Sequence, residues 1–390
     1  MNESAVNNFV FHFPTDVRFG QGQIRDLGKE IGKYGKRVLL ISEGAWKESR
    51  IGKEIDGALN GLEVQELSGV EKNPKLSAVK KGAEICRKAG IEALLAVGGR
   101  NVIDTAKYIA CAVYYDEDPW DLVKDSTKVT KALPVFTILT GAATGSEMNS
   151  AALICNEECS EKAELNHPLL FPKLSVCDPT YQYALSKEET AAGIVDVFSQ
   201  ILEMKFQSRD AGRIEEQLRE QALKALIEYG PAAIAEPENY DARYYLMWIG
   251  TMGLSQLKSF EQKEVRSVYP LALELSAHYD VPHGIGLSLL MTEWMRFILT
   301  EETEGKFAEH ARNIWNVTYE DDHTAARVGI DRMEEFFRKL GMPRMLSDLD
   351  IDDAHFSEMA AAAVEKGGLS ERAYVELSAS DVEQIYRNCW

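Results

Sequence analysis

The 390-residue chain has no apolar run of membrane length, no internal repeat and no low-complexity linker. A bilayer-spanning helix needs about 20 largely apolar residues, and no secretory leader can be read, so the expected location is the cytoplasm, with no membrane partner. Cysteine is sparse: Cys86, Cys111, Cys155, Cys159, Cys177 and Cys389 are scattered, mostly in apolar contexts. An even number can pair, but that scatter and that location predict reduced thiols. Cys155 and Cys159 lack the second pair that a structural zinc site would need. Positive charge is also short, with 43 Lys and Arg against 62 Asp and Glu, a net charge of -19. That balance repels nucleic acid and anionic membranes and names neither as a partner. At 45% apolar and 27% charged residues, the composition is that of an ordinary soluble protein, long enough for two lobes or domains.

What is present begins with Asn8 to Thr15 and Val17-Arg18-Phe19-Gly20, where aromatic and polar positions alternate as in a short strand or hairpin. His12 reads as a packed or surface histidine. Apolar runs follow at Arg37 to Ser42, Leu62 to Leu67 and Ala93 to Val97, separated by amphipathic stretches of helix length. Such alternation predicts a Rossmann-like parallel sheet covered on both faces, with a nucleotide at the carboxyl ends of the strands.

Three turns stand at those strand ends. In Ser42-Glu43-Gly44, the carboxylate of Glu43 can accept hydrogen bonds from an adenosine ribose and repels a 2′-phosphate, which favours NAD(H) over NADP(H). A surface glutamate beside a helix start explains the residue equally well. In Gly98-Gly99-Arg100-Asn101-Val102-Ile103-Asp104, paired glycines let a pyrophosphate approach the backbone at a helix N-terminus. Arg100 is placed either to contact phosphate or to crowd it. In Thr140-Gly141-Ala142-Ala143-Thr144-Gly145-Ser146-Glu147-Met148-Asn149, hydroxyls and small residues suit a loop lying over phosphates and nicotinamide.

From about residue 185 helical periodicity takes over, in Glu215 to Tyr229, Asp241 to Leu257, Gly284 to Thr300 and Thr324 to Leu340. The expected organisation is an α/β domain over residues 1–185 and an all-helical domain over 186–390. Gly193 to Glu203 reads as a helix with Asp196 and Gln200 on one face, because residues four apart are neighbours. His283 stands between Pro282 and Gly284, where a further helix begins. A carboxylate and an imidazole on two helices can converge on one metal or one substrate. In Pro237-Glu238-Asn239-Tyr240-Asp241, Asn239 and Asp241 suit helix capping. His310, His323 and His355 lie in polar helical contexts and are expected at the surface.

These phrases resemble the iron-containing (group III) alcohol dehydrogenases, in particular their butanol-dehydrogenase-like branch, whose architecture is shared with dehydroquinate synthase. The loop at Gly98 is similar to the family's Gly-Gly-Gly-Ser-Val-x-Asp, with Arg100 and Asn101 in place of glycine and serine. The loop at Thr140 is close to its Ala-Thr-Gly-Ser-Glu-Met-Asn. The resemblance further implies that Asn73, in Gly69 to Pro74, faces the cofactor and that Lys162, after a hairpin, binds it. Glu43, Asn73, Gly98, Gly99, Arg100, Asn101, Asp104, Thr140, Thr144, Ser146 and Lys162 are thus the candidate cofactor residues. The four metal ligands of the family, one aspartate and three histidines, map to Asp196, Gln200, Tyr269 and His283. A further family histidine beside the nicotinamide maps to Leu273.

Asp196 and His283 are good ligands, whereas the Gln200 amide is a poor donor to a transition metal and Tyr269 binds well only as phenolate. Weak or absent binding of iron, zinc or another divalent ion is the expectation. The resemblance implies an NAD(P)-dependent oxidoreductase for a small alcohol/aldehyde pair, in a homodimer, with NAD(H) favoured. Two alternatives accompany it: a metal-independent carbonyl reductase with His283 or Tyr269 as proton donor, and a nucleotide-binding member without catalysis. A hydrolase or lyase on a related fold is more distant.

Overall fold

The computed structural model describes residues 12–44, 46–71, 73–142, 145–159, 161–207, 213–253, 267–371 and 373–390. It divides into two compact units: His12–Leu185 with residues 250–253, and Ser186–Ile249 with residues 267–390.

The first unit is built on six parallel strands: β1 (Asp16–Phe19), β2 (Arg37–Ser42), β3 (Glu63–Ser68), β4 (Ala93–Gly98), β5 (Val135–Leu139) and β8 (Leu174–Cys177). Their order is β1-β8-β5-β4-β2-β3, and β6 (Ala151–Asn156) pairs with β7 (Glu161–Asn166) as a separate antiparallel ribbon. The apolar runs follow from position in the sheet. Val38, Leu39, Leu40 and Ile41 on β2 and Ala93, Leu94, Leu95 and Ala96 on β4 are fully buried, because both faces of the inner strands are covered. Each such valine, leucine or isoleucine contributes about 1.5–3 kcal/mol on burial. Edge strand β3 exposes Glu63, Gln65, Glu66 and Ser68 and buries only Leu67.

The opening stretch supplies a short strand, as one of the two expected forms. Among the described residues, β1 pairs in parallel with β8, Asp16 opposite Leu174, and closes one sheet edge; residues 8–11 lie outside the described chain. From β2 the chain leaves to one side, to β3, and returns on the other, to β4. The carboxyl ends of β2 and β4 therefore flank a topological switch point, where open α/β sheets bind nucleotides.

The second unit is helical, with no strand among its described residues. The helices that matter below are Lys187–Gln207, Tyr269–Tyr279, His283–Phe297, Glu304–Trp315, Asp322–Lys339 and Phe356–Gly367. Asp322–Lys339 buries Ala325, Ala326, Gly329, Ile330, Met333, Phe336 and Phe337 along one face, and the Asp321 carboxylate accepts the Thr324 N–H at its start. Phe198 packs between Phe336 and Phe337 at 5.5 and 5.6 Å in the core. The expected helix from Asp241 runs over Tyr240–Trp248, capped by Asn239, and then widens into a π-helical turn at Ile249–Gly253.

One histidine departs from expectation. His310 is buried, not solvated: it sits one turn after Phe307 on the packed face of Glu304–Trp315, and its Nε2 accepts the Trp315 indole N–H at 3.2 Å. Burial pushes its pKa down to about 3. His323 and His355 are exposed. All six cysteines are free thiols, and no described helix is long and apolar enough to cross a membrane.

Candidate active site

Two groups of residues carry chemistry, one in each unit. In the first unit the floor is glycine. Gly98 ends β4 beside Leu139 of β5, and the Thr140 N–H donates to the Gly98 carbonyl at 3.0 Å. A Cβ added to Gly141 would lie 2.6 Å from the Gly99 Cα, so the two turns approach closer than any side chain permits. A Cβ added to Gly99 would meet Glu43 Oε1 at 4.0 Å. Glu43 and the glycine floor thus meet at the switch point.

The loop from Thr140 to Asn149 is tied down from beneath. Lys107, fully buried, donates to Ser146 Oγ at 3.0 Å, Asn149 Oδ1 at 2.9 Å and the Ala151 carbonyl at 2.9 Å. Asp104 accepts from the Ser146 hydroxyl and from the Leu153 N–H, and Arg100 Nε lies 3.4 Å from its carboxylate. Burial pushes the Lys107 ammonium down to about 8, against the pull of Asp104 and Glu147. Gln182 donates to the Gly141 carbonyl, and Ser175 to that of Glu147. The Glu147 side chain is buried and accepts from Thr251; burial raises its carboxyl pKa, with the Thr251 hydroxyl opposing. The described residues of this loop are held by the chain's own hydrogen bonds.

The remaining candidates of this unit lie alongside. Lys162 Nζ donates to Asn73 Oδ1 at 3.0 Å, which brings those two together. Lys162 lies within β7, opposite Cys155, and not after the hairpin. Asn101 donates to the Glu71 carbonyl, joining the Gly98 turn to the segment that carries Asn73. Thr144 lies outside the described residues.

In the second unit, Ala192, Asp196, Gln200 and Glu203 follow one another along one face of Lys187–Gln207. A Cβ on Gly284 would lie 2.0 Å from the Ala192 carbonyl oxygen, so only glycine lets the helix that begins at His283 pack so closely. At the other end of the stripe, Glu203 accepts the backbone N–H groups of Ser267, Val268 and Tyr269, at the start of Tyr269–Tyr279. Asp196 and Gln200, both buried, stand between these anchors, with Gln200 Nε2 donating to Asp196 Oδ1 at 2.7 Å. The Tyr269 and His283 rings meet edge to face, centroids 4.6 Å apart. Leu273 is one turn beyond Tyr269.

The profile described as iron-containing alcohol dehydrogenase matches residues 14–179, and that described as the C-terminal region of the Fe-containing alcohol dehydrogenase family matches 190–390. The chain belongs to the iron-containing alcohol dehydrogenase family. Within it, the chain is 39% identical over 387 residues to NADH-dependent butanol dehydrogenase A of Clostridium acetobutylicum, covering 98% of this chain and 100% of that one. It is 31% identical to the NADPH-dependent aldehyde reductase YqhD of Escherichia coli, over 93% of this chain and 94% of that protein. The crystal structure of NADH-dependent butanol dehydrogenase A from Thermotoga maritima superposes with a TM-score of 0.91 at 32% identity, covering 99% of this chain and 100% of that one. The butanol-dehydrogenase-like branch is thereby identified.

The family's name implies iron, and the donor set can be tested against it. Asp196 Oδ1 accepts from the Gln200 amide, so the residue at the second family ligand position meets the carboxylate as a neutral hydrogen-bond donor. Tyr269 offers a phenol packed on the His283 ring. One carboxylate, one imidazole, an amide and a phenol do not fit the family's metal, which needs three or four good ligands. Sequence reading missed Lys107, Gln182, Thr251 and Glu203. Of these, Lys107 had a signal, since it stands three residues after Asp104 on a helix where an unpaired lysine would not be buried.

Proposed function

We propose that this protein is an NAD(H)-dependent oxidoreductase that interconverts small primary alcohols and aldehydes, with NADP(H) the less favoured cofactor. The observation that carries this reading is the glycine floor of Gly98, Gly99 and Gly141 at the switch point, with Glu43 beside it. A pyrophosphate meets backbone there, and the Glu43 carboxylate takes a ribose hydroxyl pair but repels a 2′-phosphate. The identity to NADH-dependent butanol dehydrogenase A over the whole chain supports the substrate class.

In the reducing direction, bound NADH would supply hydride to the carbonyl carbon, and the oxygen takes its proton from the chain's own residues. Tyr269 is the proton donor and His283, against its ring, resupplies it, giving alcohol and NAD⁺ from aldehyde, NADH and a proton. Asp196, which accepts from the Gln200 amide, is the third member of this catalytic group. Asn73, Arg100, Asn101, Thr140, Thr144 and Lys162 contribute to the cofactor site. Asp104 and Ser146 serve it by fixing the loop above Lys107. A cytoplasmic homodimer completes the proposal.

The test is NADH oxidation with butyraldehyde in chelator-treated protein, with and without ferrous or zinc ion. Turnover indifferent to the ion is expected. Turnover only after metal is restored would return Asp196 and His283 to the role of ligands. Tight NADH binding without turnover would remove the enzymatic reading.

A further inference from the structure

Away from these residues, the helix Tyr269–Tyr279 ends near the start of Phe356–Gly367, and three side chains with metal-ligating atoms meet there. One donor atom from each of His278, His355 and Glu358 lies within 4.8 Å of the other two. The segments that carry them are tied together locally: Tyr279 Oη donates to the Asp352 carbonyl at 2.9 Å and lies 3.1 Å from its carboxylate, while the Tyr279 and His355 rings stand 5.9 Å apart.

The hydrogen bonding around His278 points its lone pair at this cluster. His278 Nδ1 is 3.0 Å from the Glu274 carbonyl oxygen. A carbonyl only accepts, so Nδ1 carries the proton and Nε2 is left as the donor atom, 4.0 Å from Glu358 Oε2. This is the arrangement that orients histidines toward metals, in which one ring N–H is held by a backbone carbonyl while the other nitrogen ligates. His355 Nδ1 stands 3.3 Å from the same Glu358 oxygen, and the two imidazoles are 5.5 Å apart. Tetrahedral ligands at about 2.0–2.1 Å from an ion are about 3.4 Å from one another. The observed separations therefore need to close by about an ångström or less in most directions, through rotation of side chains that are 50% and 70% exposed at His355 and Glu358.

We propose that His278, His355 and Glu358 form a surface site for a divalent transition ion, with zinc the best match. Two imidazoles and one carboxylate are a borderline-soft N₂O set, which suits zinc, nickel or copper and not magnesium or calcium. Water fills the fourth position. The site clips two helices whose ligands are about 80 residues apart in sequence, so an ion bound only to the folded chain stabilises it by mass action. It is independent of the redox reading above, since none of its three side chains belongs to either active-site group.

The experiment is equilibrium dialysis of the full-length protein against zinc, with metal counted per chain, comparing the natural sequence with H278Q/H355A. The natural protein is expected to hold one zinc more than the variant, with NADH affinity and aldehyde turnover the same in both. Equal zinc counts overturn the proposal. If the double variant does not fold, H355A alone is compared through the rise in melting temperature on adding zinc. A rise lost in H355A supports the site, and an undiminished rise overturns it.

Discussion

Glu203 accepts the backbone N–H of Tyr269 at 3.3 Å with the same carboxylate oxygen that takes those of Ser267 and Val268, at 2.8 and 2.5 Å. These are N–H groups that a helix start leaves without intrahelical partners, and a buried negative charge is well placed there. Because Glu203 shares a helix face with Asp196 and Gln200, one rigid element fixes both the carboxylate–amide pair and the origin of the tyrosine.

Glu203→Ala is therefore expected to lower stability by about 2–3 kcal/mol, the scale for losing a hydrogen-bonded charge at a buried site. Aldehyde turnover should fall on the order of ten- to a hundredfold as Tyr269 loses its position, with the dissociation constant for NADH unchanged. Denaturant unfolding and steady-state kinetics check both, and Glu203→Gln, which keeps an acceptor oxygen, should recover part of each. Full turnover in Glu203→Ala would mean that Tyr269 is placed by something else.

The approach of Gly141 to Gly99 leads to a second expectation. A methyl group on Gly141 would meet the Gly99 backbone at 2.6 Å, and backbone cannot swing aside as a long side chain can. Gly141→Ala should weaken NADH binding at least about tenfold, with about 1–3 kcal/mol of overpacking cost in stability. Fluorescence titration with NADH reads the first. Unchanged affinity would remove the cofactor from this floor.

Much of this was legible before any coordinates. The fully buried runs at Val38 to Ile41 and Ala93 to Ala96 announced inner parallel strands, because strands of a sheet covered on both faces read as short unbroken apolar runs. The pairing of Asp196 with Gln200 followed from helical spacing alone. What was hidden depended on partners distant in sequence. The Asp104 spacing hints at a buried Lys107, but its partners Ser146, Asn149 and Ala151 converge on its ammonium from about 40 residues away. The parallel partner of Asp16, Leu174, cannot be found by local alternation, which looks the same in a hairpin. His310 looked solvated because Glu309 and Arg312 flank it, yet the helix turns it onto Phe206, centroids 5.5 Å apart.

That burial sets a pH dependence. His310 has its pKa lowered from 6.5 to about 3 in the folded chain, so between those values the unfolded chain binds more protons and stability falls as pH falls. From pH 7 to 5 the loss from this group is about 2 kcal/mol. His310→Gln keeps an acceptor for the Trp315 N–H and does not titrate. Urea unfolding at the two pH values should show the natural protein losing about 2 kcal/mol more than the variant. Equal losses would mean that His310 takes up its proton without unfolding.

Glu43 decides the cofactor if it faces the adenosine ribose. It follows β2 at the switch point, within reach of Gly99, and its carboxylate would stand against a 2′-phosphate carrying the same sign of charge. At an effective dielectric near 20, two like charges about 4 Å apart repel by about 4 kcal/mol, and exposure to solvent and salt reduces that severalfold. Glu43→Ser removes the repulsion and one ribose acceptor together. The ratio of kcat/KM for NADPH to that for NADH should rise on the order of tenfold, about 1.4 kcal/mol, most of it through the KM for NADPH. Raising ionic strength should narrow the gap between the two cofactors in the natural protein and leave the variant almost unmoved, because only the former has a charge to screen. A ratio that does not change places Glu43 outside the adenosine pocket and returns it to the role of a surface residue beside a helix start.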